Sequence, residues 1–238
     1  MQNCLARLQT ALENRFRKIV SSLYPVIVQQ EADAFSRLDR FCSAASIVLP
    51  LLAEPWWRRM DKAGLKIFNA CADIHLYARV LDDAIDEGQN CQKKALLAMQ
   101  EIFCSSIGVL TGLKPGRSKA AFQLIRETTQ AASSEQADPE GWARKNHHLL
   151  LIPLYLSVKR SFYEKNRRPL SIAIGVLQAV DEMRQGHVNN IDSLCDFVEA
   201  GASSAVILQK RGWPHLAWRM LVGCKWLLKE IEKNGNFF

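Results

Sequence analysis

The chain has no uninterrupted apolar stretch of the length a bilayer demands; its longest candidate, Leu149 to Val158, is broken by Pro153. A spanning helix needs about 20 consecutive apolar residues, so no transmembrane segment is expected. A Cys-x-x-Cys pair is also missing. Seven cysteines, an odd number, are scattered at positions 4, 42, 71, 91, 104, 195 and 224, a pattern that excludes a disulfide frame or a cysteine zinc site. They read as reduced, mostly buried thiols of a cytoplasmic protein. Onward from Met1 to Ala6, charged residues from Arg7 recur where a signal peptide would have an apolar core, so no secretory leader is expected. Period-two alternation is absent over any useful length, which excludes a sheet and makes the fold all-α. No Pro/Gly/Ser-rich linker and no internal repeat divides the sequence, so residues 1–238 are expected to form a single domain.

What the chain does have is apolar residues, 48% of the total, and a formal net charge of +7. Positive charge of that size suits nucleic acid, a membrane surface or an anionic small substrate. No nucleic-acid-binding signature accompanies it, nor the interleaving of aromatic and basic residues that a strand-tracking groove uses, so nucleic acid is set aside. The apolar residues follow helical spacing. A first helix is expected from Cys4 to about Gln30, bent or ended at Pro25, and a second over Ala34–Leu52. Trp56 and Trp57 read as a packing anchor. A long helix is expected from Trp57 or Arg58 to Glu87, stopped by Gly88, and another over Gln92–Leu113, ended by the Gly112–Gly116 break. Ser118–Ala132, Asp138–Lys165 with a kink at Pro153, and a helix opened by Asn166–Pro169 and running to about Asn190 follow. Two final helices part near Gly212-Trp213-Pro214.

The stretch on which a function can be built closes the long helix: Tyr77-Ala78-Arg79-Val80-Leu81-Asp82-Asp83-Ala84-Ile85-Asp86-Glu87. At about 100° per residue, Asp82, Asp83 and Asp86 fall in one arc of roughly 100°, so three carboxylates crowd one patch. The crowding is mildly unfavourable on a solvated helix end, which is the plain reading, and more so if shielded from water; a divalent cation would turn the repulsion into attraction. Macrodipole effects do not explain it, since acids at a helix C-terminus face the negative pole. Oxygen ligands of this type suit Mg²⁺, which pairs one or two carboxylates with substrate phosphate oxygens. On these residues the stretch resembles the aspartate-rich DDxxD motif of class I isoprenoid (terpene) synthases.

That resemblance implies an all-α helical bundle and a second metal site on a later helix, of the form (N/D)DxxSxxxE. At that spacing stand Asp181, Gln185 and Asn189, with two amides where the family has a hydroxyl and a carboxylate. Ser171, Ile174, Gln178, Asp181, Gln185 and Asn189 share one arc of about 80° on a mostly apolar helix, a seam that reads as a cavity lining or as a solvated face. On the long helix, Arg79, His75, Ala72, Cys71 and Phe68 lie on the face of the aspartates. They read either as core or as the wall of a cavity for a prenyl chain, where an aromatic face would attract a carbocation. Arg184 is the basic residue on the second-motif helix that the leaving diphosphate would use; Lys159, Arg160, Lys165, Arg167 and Arg168 are further candidates.

The resemblance therefore implies a Mg²⁺-dependent terpene synthase. Asp82, Asp83 and Asp86 would hold metal against an allylic isoprenyl diphosphate, Asp181, Gln185 and Asn189 would hold a further ion, and Asp82, Asp83 and Arg184 would drive ionisation. Asp86 is followed by Glu87-Gly88 and not by the RRG of long-chain prenyltransferases, which disfavours that alternative. A helical scaffold without chemistry is the third reading, and a homodimer is left open.

Overall fold

The computed structural model of the chain describes residues 2–27, 39, 42, 45–56, 60–87, 90–133, 151–152, 154–156, 158–186 and 191–235. Every regular element among them is a helix: α1 (Gln2–Ile27), α2 (45–52), α3 (Lys62–Glu87), α4 (Asn90–Leu113), α5 (Pro115–Ser133), α6 (Arg160–Gln185), α7 (Ile191–Lys210) and α8 (Pro214–Gly235). The expected all-α class is what the structure has. The contacts divide the chain into two compact units, Met1–Lys119 and Ala120–Phe238, with the boundary inside α5.

In the first unit α3 pairs mainly with α4, and α1 packs on α4. Leu12, Phe16 and Val20 recur every four residues and form the buried stripe of α1. The long helix begins at Lys62, later than its apolar pattern suggests, because Asp61 caps it: the Asp61 carboxylate accepts the Gly64 N–H at 2.7 Å, satisfying one of the donors a helix start leaves free. Gly64 also lets the chain pass close to Trp56, whose ring carbon would lie 3.0 Å from an added Cβ. Trp56 is buried, as a packing anchor would be; Trp57 lies outside the described residues.

The break after α4 is a single residue, Lys114. Its N–H still reaches Leu110 O at 3.1 Å, and Pro115, whose fixed φ suits a first helical position, restarts the chain as α5 three residues earlier than expected.

In the second unit α6, α7 and α8 pack on one another. Their closest approach runs over Val176. A Cβ at Gly201 would lie 2.8 Å from Val176 Cγ2 and 2.9 Å from Cys224 Sγ, and one at Gly223 would lie 3.3 Å from Val176 Cγ1. Trp213, fully buried at the α7–α8 turn, stacks on Phe162 with ring centroids 5.7 Å apart.

Two sequence expectations about α6 are corrected. Its start is not Asn166–Pro169 but Arg160, after the non-helical Val158 and Lys159, and Pro169 lies inside the helix. Proline there removes the N–H that would bond Lys165 O. Arg211 supplies a substitute: its Nη1 donates to Lys165 O at 2.8 Å and to Asn166 Oδ1 at 3.1 Å, while Asn166 Nδ2 donates to Phe162 O at 2.7 Å. Asn166 is fully buried. The far end comes early as well. Gly186 adopts φ 75°, the left-handed conformation that favours glycine, and its N–H turns back to Glu182 O and Met183 O, so the helix ends at Gln185 and not near Asn190.

Part of the apolar stretch Leu149–Val158, Pro153 included, lies outside the described residues. One described helix segment, Leu96–Leu113 of α4, is long and apolar enough to cross a bilayer by length and composition, with mean hydropathy 1.5. Two of its polar positions are engaged with α3: Gln100 accepts the Tyr77 hydroxyl at 2.9 Å, and Ser106 reaches Asp73 at 3.4 Å. Those contacts fit a helix belonging to the first unit.

Candidate functional site

The helix that carries the aspartate-rich stretch is continuous over 26 residues to Glu87. Asp82, Asp83 and Asp86 therefore sit at helical spacing in its last two turns. The side chains of residues 82–87 lie outside the described residues.

The residues leading to them along α3 grade from enclosed to half-covered. Phe68, Cys71 and Ala72 are buried, at 1%, 1% and 0% exposure, while His75 and Arg79 are partly buried. Burial pushes the Cys71 thiol well up. Burial, and secondarily the Arg79 guanidinium, push His75 down to about 4, so at neutral pH its imidazole is uncharged. A neutral His and a cationic Arg thus stand about two turns and one turn, respectively, before the aspartates. Tyr77, between them, stacks on Phe103 with centroids 4.6 Å apart and is tied to Gln100, which fixes α3 against α4 just before the acidic turns.

The residues that most firmly hold α3 escaped the sequence reading. Asp73, 3% exposed, receives Arg15 of α1 through two hydrogen bonds, Nε to Oδ1 at 2.7 Å and Nη2 to Oδ2, and Ser106 of α4 reaches the second oxygen. The carboxylate raises the Arg15 pKa against the opposing effect of burial. A charged residue inside the apolar run Ile67–Leu76 was the available signal. Nothing in the sequence spacing pointed to Arg15 as its partner.

On α6 the structure brings the seam residues together in pairs. Gln178 Nε2 donates to Glu182 at 2.7 Å, and Gln185 Nε2 donates to Asp181 Oδ2 at 3.0 Å. Ile174 is buried, Ser171 and Gln178 are partly buried, and Asp181 and Gln185 are exposed. The seam therefore runs from core to solvent. A ligand spacing of i, i+4, i+8 presupposes a helix through Asn189, but α6 stops at Gln185, and Asn189 lies outside the described residues. Arg184 is exposed, with its guanidinium 5.3 Å from the centre of the Trp226 ring.

Of the other basic candidates, Arg160 pairs with Glu164 at 3.8 Å and Arg167 with Glu127 at 3.9 Å; Lys159, Lys165 and Arg168 are exposed. Close by, Tyr163 is buried beneath Tyr155, and its hydroxyl finds no hydrogen-bond partner among the described residues. Burial pushes it up to about 12.

Among the described residues no three His, Cys, Asp or Glu side chains converge into a group that could hold a metal. The cysteines for which a state is described, Cys42, Cys71, Cys104, Cys195 and Cys224, are all free thiols, with Cys104 exposed. Comparison of the chain with protein-family models, with curated proteins and with solved structures finds no match.

Proposed function

We propose that the chain is a Mg²⁺-dependent class I terpene synthase, a helical bundle that ionises an allylic isoprenyl diphosphate and releases diphosphate as the carbocation cyclises, loses a proton or captures water. The observation that carries this reading is the acidic end of α3: three aspartates at positions 82, 83 and 86 of a continuous helix, preceded on the same helix by cationic Arg79 and neutral His75. Carboxylates so spaced repel one another unless a cation joins them. Hard oxygen donors favour Mg²⁺, whose remaining coordination positions take water and phosphate oxygens.

In this reading Asp82, Asp83 and Asp86 hold the metal that withdraws charge from the leaving group. Asp181, Gln185 and Asn189 are assigned a further, weaker ion, since two of the three carry no formal charge. Metal bound at the α3 aspartates stabilises the negative charge that develops on diphosphate. Phe68, Cys71, Ala72, His75 and Arg79, on the helix of the aspartates, are assigned to the wall beside the prenyl chain. Burial of Phe68, Cys71 and Ala72 supports an apolar surrounding for the hydrocarbon and serves a plain core equally well.

One observation favours a second reading, a helical scaffold without chemistry. Asp181 and Gln185 are exposed and bonded to each other, and their helix stops before Asn189.

The experiment that separates these readings measures diphosphate release from a panel of allylic prenyl diphosphates, with and without Mg²⁺. A synthase releases diphosphate only with the metal. A prenyltransferase does so only when isopentenyl diphosphate is added. No release from any substrate under either condition would leave the scaffold as the account of this chain.

A further inference from the structure

Helix α8 is apolar on two sides. Its inner side carries Leu216, Ala217, Met220, Cys224 and Leu227, all buried against α6 and α7. Its outer side carries Trp218, Leu221, Val222 and Leu228, exposed by 61%, 41%, 48% and 43%. At about 100° per residue these four fall within roughly 120° of arc, centred away from the buried side. Folding of the second unit does not require them to be apolar, and large side chains clustered in water mark a contact surface.

The charges interleaved with them decide what the surface meets. Lys225 and Lys229 lie inside the same arc, and both are exposed. Of the two acids on this helix, Glu230 is engaged by Lys233 at 2.6 Å, and Glu232 alone shares the arc. A second copy of the chain, docking face to face about a two-fold axis, would set this net positive face against its own copy. A neutral apolar partner would leave both ammonium groups desolvated.

An anionic lipid surface resolves both problems. Leu221, Val222 and Leu228 enter the boundary between headgroups and acyl chains, and the indole of Trp218 sits at headgroup level, where its apolar body and N–H are both accommodated. The lysines lay their aliphatic stems along the apolar layer and raise their charges to the phosphates. The formal net charge of +7 on the chain attracts it to such a surface from a distance.

We infer that the outer face of α8 docks the protein, lying in the plane of the interface, on membranes rich in anionic phospholipid. The inference is independent of the diphosphate chemistry, because it uses none of the same residues.

The test is co-sedimentation of the full chain with phosphatidylcholine vesicles, with and without phosphatidylserine. The wild type partitions at least about tenfold more strongly to the anionic vesicles. Trp218→Ser combined with Leu221→Ser, at exposed positions that leave the helical circular dichroism unchanged, lowers binding to both vesicle types by about tenfold or more. Lys225→Gln combined with Lys229→Gln removes the preference for phosphatidylserine. Three results overturn the inference: no binding of the wild type to anionic vesicles, binding that the Trp218/Leu221 pair leaves unchanged, or a concentration-dependent dimer that this pair dissolves while vesicle binding is absent.

Discussion

Asp73 is 3% exposed, and Arg15 retains a side chain 39% exposed, so the two ends of their ion pair are not equivalent. Removing the arginine strands a carboxylate in the core, where Ser106 is its remaining hydrogen-bond partner among the described residues. Removing the charge of the aspartate releases a guanidinium that can turn toward water. Arg15→Ala is therefore expected to destabilise the protein by about 3 kcal/mol, and Asp73→Asn by roughly half that. Urea unfolding of both variants checks the order; equal losses would mean that the pair acts as a surface contact. His75 makes a second prediction at this scale. Its pKa is held at about 4 in the folded chain, against an ordinary 6.5. The unfolded chain therefore takes up a proton first as pH falls, and stability declines from about pH 6.5 down to about pH 4. The decline is on the order of 2 kcal/mol. His75→Gln should flatten that part of the pH profile relative to wild type, measured as the difference in urea midpoint between pH 7 and pH 4.5.

Helix α6 shows most clearly how one element depends on a residue far along the chain. Pro169 leaves Lys165 O without its helical donor, and Arg211 fills the place. Arg211→Ala is expected to destabilise the second unit by about 1–2 kcal/mol. In a Pro169→Ala background, where a backbone N–H is restored, the same substitution should cost less, giving a coupling of about 0.5–1.5 kcal/mol in a double-mutant cycle. Strict additivity would show that the guanidinium does not replace the missing donor. This compensation is also why the sequence misled about α6. A proline after Asn166-Arg167-Arg168 reads as a helix start, and no local signal announces a donor supplied by Arg211. The early end at Gln185 had a visible signal in Gly186, which the polar stripe toward Asn189 outweighed. By contrast, the pause before Pro214 and the apolar spacing of α1 were legible, because turn chemistry and periodicity act within a few residues. Asp61 as the cap of α3 was legible in kind and hidden by the Trp56-Trp57 pair before it.

Across the whole chain, the helical class followed from periodicity, and the acidic end of α3 from four acids within six residues. What composition does not encode is pairing between distant groups: Arg15 with Asp73, Arg211 with Lys165, Arg184 over Trp226. Each unit carries one of the two polar motifs, α3 the aspartates and α6 the Asp181 seam, and they differ in strength. The α3 motif offers three carboxylates. The α6 seam offers one, already accepting a hydrogen bond from Gln185. The account therefore rests on the α3 aspartates, and a ligand that acts mainly on charge developing at the leaving group should be worth several kcal/mol of barrier.

The measurement that bears on this most directly is the Mg²⁺-dependent rate of diphosphate release from an allylic prenyl diphosphate by the wild type, Asp82→Asn and Asp83→Asn, with helical circular dichroism recorded on each. The account predicts turnover by the wild type that excess chelator abolishes, and a loss of at least about a hundredfold in each variant with an unchanged helical signal. Full turnover in either variant, or in the wild type with chelator present, would contradict it.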